Sequence, residues 1–398
     1  MTTLLSTPPP DPALDLLLDE ALLLDSPPSV HLHTPSADPS GMGVHMRCLA
    51  EGYVRRGREV TLMYWANDQA EELFAPAETH GVRLARLPHP RSTEYGARIA
   101  QDLRRHPSDV FHVHAGTGRE NFDGARVAAG VGVPAVVQTL HLPWLLRNRR
   151  KRVGLHAALA PVDRVVTVSE RQRATYERIG VASRRMVTVP NGVAPRAASP
   201  GRDAARRALG LTPRQPVVMT VGRLTVMKGQ RHLLDAVPLL RRRFPDLAVV
   251  LVGDGHLRRA LTEQADRLGV GRVVRLVGHR TDARSLLDAA DVFVLPSLQE
   301  GMPLAALEAM DAGLPVVGTD VVGTSEVVEH DVTGLLVPPA DPEALAASLA
   351  QVLSEPVRRR RMGAAGRRRY EEGFTDARMI ARTAAVYDDV LARTGVRT

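Results

Sequence analysis

The sequence predicts an α/β protein built from two doubly wound, parallel-sheet domains that face each other across a cleft. At 398 residues the chain is too long for one ordinary hydrophobic core and suits two domains. Short β-branched runs alternate with helical stretches in two successive series, a pattern typical of parallel sheets. A segment rich in turn residues, from Pro190 to Gly201, separates the series. Ligands usually bind at the carboxyl ends of such strands, so the cleft is the expected site.

The first series contains strands predicted from short apolar runs. They are Val30–His33, Val60–Tyr64, Val110–His114, Ala135–Leu140 and Arg164–Val168. A glycine turn, Gly41-Met42-Gly43, follows the first strand. Helices are predicted over 44–56, which Gly57 ends, and near 97–105.

The second series begins after the turn-rich segment and has the same character. Its predicted strands are Val217–Val221, Ala248–Val252, Val273–Val277, Val292–Leu295, Val316–Gly318 and Leu335–Val337. Helices are predicted between them, including 228–243 and 303–311. We therefore expect domains over 29–195 and 196–372, with a C-terminal helix in 373–398 that packs back across the domains.

An N-terminal extension, residues 1–28, lies outside both series. Prolines at 8–10 open an acidic, leucine-rich helix predicted at about 12–25, and prolines at 27–28 close it. Packing on the body, a loose tail, and a docking or oligomerisation helix are all open interpretations.

The composition bears on compartment and on covalent chemistry. The single cysteine, Cys48, excludes a disulfide framework or a thiolate metal cluster within the chain, which favours a reducing cytoplasm. We expect it to be a small core residue. No run of about 18 apolar residues is present, so no membrane-spanning helix is predicted. The N-terminus also lacks the basic first region of a signal peptide. We therefore expect a cytoplasmic protein.

The basic balance does not identify a partner. The net charge is +8, and of the 52 basic residues only Lys151 and Lys228 are lysines. Such an arginine bias reflects genomic base composition and an arginine-coated surface. A lysine that remains in such a chain is therefore a candidate functional residue. Aromatic residues make up 4% of the chain, too few for base stacking, and no nucleic-acid motif is present. Nucleic acid is not an expected partner.

The first candidate constellation is Gly222-Arg223-Leu224 followed by Lys228-Gly229. A strand ends before it and a helix begins near Lys228. Arg223 and Lys228 can therefore converge on an anion at a helix N-terminus, where free N–H groups also favour negative charge. Arginine can grip a phosphate with two bonds, and lysine acts as a point charge. A solvated pair at a helix start is the structural alternative.

The second constellation is Glu300-Gly301-Met302-Pro303-Leu304 with Glu308. It follows a predicted strand, and proline suits the first turn of a helix. Glu308 lies about 7 Å further along the helix axis than Pro303. Two carboxylates so placed could hold different hydroxyls of one extended ligand. An acid favoured by the helix dipole, for Glu300, and a surface acid, for Glu308, are the alternatives.

Three weaker signals lie in the first series. The glycines of Pro39-Ser40-Gly41-Met42-Gly43 would let backbone approach a phosphate, or form only a tight turn. His114 and His141 stand at strand ends and could donate a hydrogen bond, although such histidines are more often structural. The basic cluster at 147–152, after Pro143-Trp144, could dock an anionic acceptor or a membrane surface, or be a solvated helix face.

In this order the motifs resemble the retaining glycosyltransferases of family four, which have the GT-B fold. The resemblance covers about residues 29–393. Its strongest part comprises Val189-Pro190-Asn191-Gly192-Val193, Gly222-Arg223 with Lys228-Gly229, Leu251-Val252-Gly253-Asp254-Gly255, Ala289 to Ser297, Glu300 to Glu308, and Thr333 to Pro339. It implies transfer of a hexosyl sugar, with a UDP-sugar as the first expectation, to a hydroxyl of a small-molecule or glycan acceptor.

The resemblance implies a donor site in the second domain. Arg223 and Lys228 would bind the donor diphosphate and stabilise its departure. Glu300, with the backbone of Gly301 to Leu304, would hold the sugar, and Glu308 would hold the ribose hydroxyls.

It also implies further donor contacts. Gly41 and Gly43 would approach the β-phosphate, His141 would touch the donor sugar, and Arg280 would lie near the base. Arg223, Lys228, His141 and Glu300 would be the catalytic residues. No cofactor is expected, because two cationic side chains and helix dipoles can stabilise the leaving anion without a metal ion.

The chain departs from the family pattern at several points. Met302-Pro303 replace an aromatic–glycine pair, and Pro303 has no N–H to donate. Ala194 stands where an aspartate usually follows the linker motif. A GT-B sugar-nucleotide epimerase or hydrolase, and a basic anion-binding or nucleic-acid-binding module, are the alternative functions.

Overall fold

The apolar, β-branched runs of the chain form two separate sheets whose strand pairs are parallel. The computed structural model describes residues 28–37, 40–116, 123–143, 149–196 and 199–395. The helix predicted at 12–25, Pro39 and the start of the basic cluster with Trp144 lie outside these ranges.

The chain divides into two compact units. Unit 1 contains the chain up to Ala194 together with the segment from Asp376, and unit 2 spans Pro195–Thr375. Each unit holds one of the two sheets, which confirms the prediction of two doubly wound α/β domains.

Within the described ranges, the sheet of unit 1 has seven strands. They are β1 (Val30–Thr34), β2 (Val60–Trp65), β3 (Arg83–Leu87), β4 (Val110–Ala115), β5 (Ala135–Leu140), β6 (Arg164–Thr167) and β7 (Met186–Thr188), in the order β3-β2-β1-β4-β5-β6-β7. The helices between them are α1 (Ser40–Val54), α2 (Asp68–Phe74), α3 (Tyr95–Arg105), α4 (Asp123–Gly130), α5 (Arg149–Leu159) and α6 (Glu170–Glu177).

The predicted glycine turn after β1 is wrong, because α1 already begins at Ser40 and includes Gly41 and Gly43. Met42 and Met46, one turn apart, are both buried in the unit 1 core, so the apolar face of the helix starts earlier than expected.

Two strands escaped prediction because they lie at the edges of the sheet. β3 contains two arginines among its five residues and is only partly buried, and β7 has three residues. Neither presents the continuous apolar run by which the central strands were recognised.

The part of unit 2 that the structure describes contains a sheet of six strands. They are β8 (Val217–Val221), β9 (Ala248–Val252), β10 (Val274–Gly278), β11 (Val292–Leu295), β12 (Val316–Thr319) and β13 (Gly334–Val337), in the order β10-β9-β8-β11-β12-β13. The helices are α7 (Arg202–Ala208), α8 (Gln230–Arg241), α9 (Arg258–Arg267), α10 (Ala283–Leu286), α11 (Leu304–Asp311), α12 (Thr324–Val327), α13 (Pro342–Ser354) and α14 (Pro356–Gly373).

The start of the helix predicted at 228 is wrong. A single 3₁₀ turn, Val226–Lys228, precedes Gly229, and α8 begins at Gln230. Gly229 has a φ of +62°, a left-handed conformation that separates the two helical segments. Lys228 therefore belongs to the loop that enters the helix.

The last helix, α15 (Asp376–Thr394), returns to unit 1. Met379, Ile380 and Tyr387 lie in the same apolar core as α1. A Cβ atom on Gly52 of α1 would lie 2.3 Å from the Cδ1 atom of Ile380, so this glycine allows the two helices to pack closely. Cys48 packs against the same core. Among the described residues, no helix is both long and apolar enough to cross a membrane.

Candidate functional site

The two strongest motifs of the sequence lie in loops that follow neighbouring strands of unit 2. β8 and β11 are paired, and the strand order reverses between them. The loop Gly222–Gly229 follows β8, and the loop Pro296–Pro303 follows β11. Because a doubly wound sheet opens a crevice at the carboxyl ends of the strands where the order reverses, both motifs lie at its expected ligand site.

Backbone contacts hold these two loops together. A Cβ atom on Gly229 would lie 2.0 Å from the carbonyl oxygen of Pro296, so only glycine permits this approach. The backbone N–H of Leu298 donates to the carbonyl of Met227 at 2.7 Å. The position of Lys228, between Met227 and Gly229, is therefore set by main-chain packing.

Lys228 and Glu300 form an ion pair across the two loops. The Nζ of Lys228 lies 2.7 Å from Oε1 of Glu300, and Ser297 Oγ donates to the same oxygen at 2.6 Å. The Glu300 side chain is 5% exposed and that of Lys228 is 27% exposed. Residues that the sequence assigned to two different ligand groups are thus direct neighbours.

Arg223 lies in the same loop as Lys228 and is partly buried. Its carbonyl accepts a hydrogen bond from Gln230 Nε2 at 2.8 Å. Leu224 N donates to the Asp254 carbonyl at 2.8 Å. The buried Gln230 at the start of α8 and the loop after β9 therefore fix the backbone that carries Arg223.

The segment after Glu300 leads into α11 through buried backbone. Gly301, Met302 and Pro303 are buried, and Pro303 forms the N-cap of the helix that starts at Leu304. A Cβ atom on Gly323 would lie 1.8 Å from the Gly301 carbonyl oxygen. This third loop, which follows β12, therefore packs directly against the motif.

Glu308 lies on α11, one turn inside the helix, with 18% of its side chain exposed. Burial raises the pKa of Glu308 to about 7, the positive charge of Arg284 opposes this rise, and the negative charge of Asp311 adds to it. Arg284 was not singled out in the sequence, where nothing distinguishes it from the other arginines.

Arg280 occurs in a separate local ion pair. Its guanidinium donates to both carboxylate oxygens of Asp282, at 2.7 and 2.6 Å. The partner is two residues away, so the contact requires only a turn and does not connect Arg280 with the Lys228–Glu300 pair.

Unit 1 carries a buried histidine cluster near the carboxyl ends of the central strands β4 and β5. His114 in β4 and His141 just after β5 are hydrogen-bonded, with 3.0 Å between Nδ1 of the first and Nε2 of the second. His45 of α1 packs edge-on against His141, with ring centroids 4.8 Å apart. Gly41 and Gly43 lie on the first turn of this helix, where Gly41 is exposed and Gly43 is buried.

These histidines are neutral at neutral pH. Burial lowers the pKa of His45 to about 4 and lowers the pKa of His114 and of His141 well below the usual value. In the described residues, one ring nitrogen from each of the three lies within 4.8 Å of the others, a set that could ligate a transition metal. His114 and His141 already satisfy one nitrogen each by their mutual hydrogen bond.

Sequence reasoning missed His112, although a signal for it existed. It precedes His114 by two positions on β4, and alternate residues of a strand lie on the same face. Its ring nitrogens pair with Tyr387 Oη at 2.6 Å and Thr139 Oγ1 at 2.7 Å. The Tyr387 contact, 275 residues away along the chain, has no local signal.

Comparison with known proteins identifies the family. The model of glycosyl transferases group 1 matches residues 201–369, and that of glycosyltransferase family 4 matches residues 39–196. A D-inositol 3-phosphate glycosyltransferase of Segniliparus rotundus is 34% identical over 83% of this chain and 80% of its own length. The chain belongs to the group 1 glycosyltransferases.

A second relative of this group 1 glycosyltransferase is the UDP-Gal:alpha-D-GlcNAc-diphosphoundecaprenol alpha-1,3-galactosyltransferase of Escherichia coli. It is 32% identical over 64% of this chain and 69% of its own length. Among solved structures, Anabaena HepE in complex with UDP is 20% identical, with a TM-score of 0.77 over 91% of this chain and 100% of that one. This likeness concerns the fold, and it confirms the predicted GT-B fold with two Rossmann-like domains.

Proposed function

We propose that this glycosyltransferase moves a hexosyl group from a UDP-sugar to a hydroxyl acceptor, with retention of anomeric configuration and without a metal ion. The observation that carries the proposal is the Lys228–Glu300 pair at the point where the strand order of unit 2 reverses. The choice of nucleotide is supported by HepE, whose structure contains UDP, and by the Escherichia coli relative, whose name specifies UDP-Gal.

The leaving group sets the main electrostatic task. As the bond between the sugar and the diphosphate breaks, negative charge grows on the β-phosphate. We assign Arg223 and Lys228 to this diphosphate, because cationic donors fixed in advance stabilise developing charge with little reorganisation. Lys228 also touches Glu300, so one ammonium group would join the diphosphate site to the sugar site.

Glu300 and the backbone from Gly301 to Leu304 are assigned to the donor sugar, and Glu308 to the ribose hydroxyls. A buried carboxylate that two neighbours already orient is suited to accept hydrogen bonds from sugar hydroxyls. On unit 1, Gly41, Gly43 and His141 are the predicted donor contacts, and on unit 2 Arg280 is the predicted residue near the base. A donor phosphate oxygen would take the proton of the acceptor hydroxyl.

We assign the acceptor to the class of phosphate-bearing hydroxyl compounds. The names of both relatives specify such an acceptor, an inositol phosphate in one and a lipid diphosphate in the other. Lys151 and Arg152, both exposed on α5, supply positive charge on unit 1. A neutral glycan that is glycosylated faster than any phosphate-bearing compound would contradict this assignment.

Calorimetric titration with UDP, GDP and ADP in EDTA tests the donor site directly. We expect UDP to bind and the Arg223→Ala variant to lose that binding. Arg214→Ala is a matched control, because Arg214 is exposed and precedes β8, at the other end of the same strand. Absence of UDP binding, or equal loss in both variants, would refute the assignment. The anomeric proton coupling of the product in NMR then decides between retention and inversion.

A further inference from the structure

One guanidinium faces two carboxylates on α11. An Nη atom of Arg284 donates to Asp311 Oδ2 at 2.9 Å, and its Nε lies 3.8 Å from Glu308 Oε1. Glu308 and Asp311 are three residues apart, and such residues are neighbours on a helix surface. Arg284 comes from α10, so it bridges two elements of unit 2.

Asp311 holds this guanidinium in place. Its side chain is fully buried and has further partners: Arg367 of α14 at 3.1 Å and the backbone N–H of Arg196 at 2.9 Å. A buried carboxylate requires such partners to remain charged. The Asp311 anchor therefore receives donors from three separate segments, and removal of one leaves two.

Glu308 depends on Arg284 for electrostatic stabilisation more strongly than Asp311 does, because Asp311 has further donors. The charged groups that act on Glu308 among the described residues are Arg284, which favours its ionised form, and Asp311, which opposes it. Arg367 lies against Oδ1 of Asp311, and the backbone N–H of Arg196 donates to Oδ2, the oxygen that also accepts from Arg284. Among the described residues, Arg284 is thus the cation within ion-pair distance of Glu308, and its charge favours the ionised carboxylate.

We propose that Arg284 is a positioning residue for donor recognition, because it holds the Glu308 carboxylate ready to accept hydrogen bonds from the ribose hydroxyls of the nucleotide. The inference rests on the proposed function, in which Glu308 binds the ribose. It implies that Arg284 contributes to the selection of ribonucleotides without touching the nucleotide itself.

The test compares UDP with 2′,3′-dideoxyuridine diphosphate by calorimetry. The parent protein should bind UDP more tightly than the dideoxy nucleotide. Arg284→Gln should weaken UDP binding about tenfold, the scale of losing hydrogen bonds to a charged group, and should leave the dideoxy affinity nearly unchanged. Arg284→Lys should restore part of the UDP affinity.

Arg367→Gln is the matched control, since it removes a cation from Asp311 but none from Glu308. It should keep the preference for UDP over the dideoxy nucleotide. The pH profile supplies a second readout. UDP affinity should fall as Glu308 is protonated below about pH 7, and in Arg284→Gln this fall should begin at higher pH, because the opposing positive charge is gone.

Several results would overturn the inference. An equal loss for both nucleotides in Arg284→Gln, the same loss in Arg367→Gln, or an unshifted pH profile would assign Arg284 a structural role only. Circular dichroism of each variant distinguishes these cases from misfolding, which would also count against a positioning role. If the parent protein binds no uridine nucleotide, the proposed function fails and the inference fails with it.

Discussion

Replacement of Glu308 by glutamine should change how the stability of unit 2 depends on pH. Burial raises the pKa of this carboxyl from 4.5 to about 7. Since the native protein then binds the proton more tightly than the unfolded chain, the resulting stability is fully present below about pH 4.5. It is lost as the pH rises through 7. Linkage gives a loss of about 3 kcal/mol over this range.

Glutamine cannot ionise, so the Glu308→Gln variant should escape this loss. Between pH 5 and pH 8 the variant should gain about 2.5 kcal/mol in unfolding free energy relative to the parent protein. Glu343→Gln is the control, because Glu343 is exposed at the start of α13 and its replacement should make the same difference at both pH values.

Urea unfolding measured in two ways provides the assay. Both tryptophans, Trp65 and Trp144, precede Ala194 in the chain, so tryptophan fluorescence follows unit 1. Far-ultraviolet circular dichroism follows both units. The fluorescence transition should be the same in the variant and the parent protein, and the additional change should occur in the dichroism. A stability difference that is equal at pH 5 and pH 8 would refute the argument from burial.

The remaining predictions concern the loops after β8 and β11. Lys228→Ala should lower turnover about 10²-fold or more, the scale of losing one charge-stabilising donor, and near-normal turnover in steady-state assays would contradict the diphosphate assignment. Activity should be undiminished in excess EDTA; a full loss that added metal reverses would overturn the metal-free mechanism. Gly229→Ala should destabilise unit 2 by about 1 kcal/mol or more, because a Cβ atom there would meet the Pro296 carbonyl at 2.0 Å and φ is +62°. An unchanged urea midpoint would refute that packing argument.

Much of the fold follows from local sequence. The central strands β5, β8, β9 and β11 are apolar runs with clear ends, and their observed bounds equal the predicted ones. Their burial on both faces makes the pattern continuous and therefore recognisable. The first turn of α1 was harder to predict, because the glycines at 41 and 43 indicate a turn locally, whereas burial of Met42 favours the helix.

The candidate site was predictable as a set of residue types at fixed distances from strand ends. Arg223, Lys228, Glu300 and Glu308 were all found in this way, because each stands just beyond an apolar run or on the helix that follows. The carboxyl ends of parallel strands lie side by side, so motifs that are far apart in the sequence become neighbours. The functional roles of these residues stay predictions until binding is measured.

The central strands, the division into two series and the residue types at the strand ends could be read from the sequence, because these depend on local hydrophobic pattern and turn chemistry. Which charged side chains pair with each other depends on the tertiary structure. The ion pair of Lys228 with Glu300, the guanidinium of Arg284 between Glu308 and Asp311, and the contact of Tyr387 with His112 join residues from separate elements. Such contacts depend on strand order and helix packing, and no local pattern encodes them.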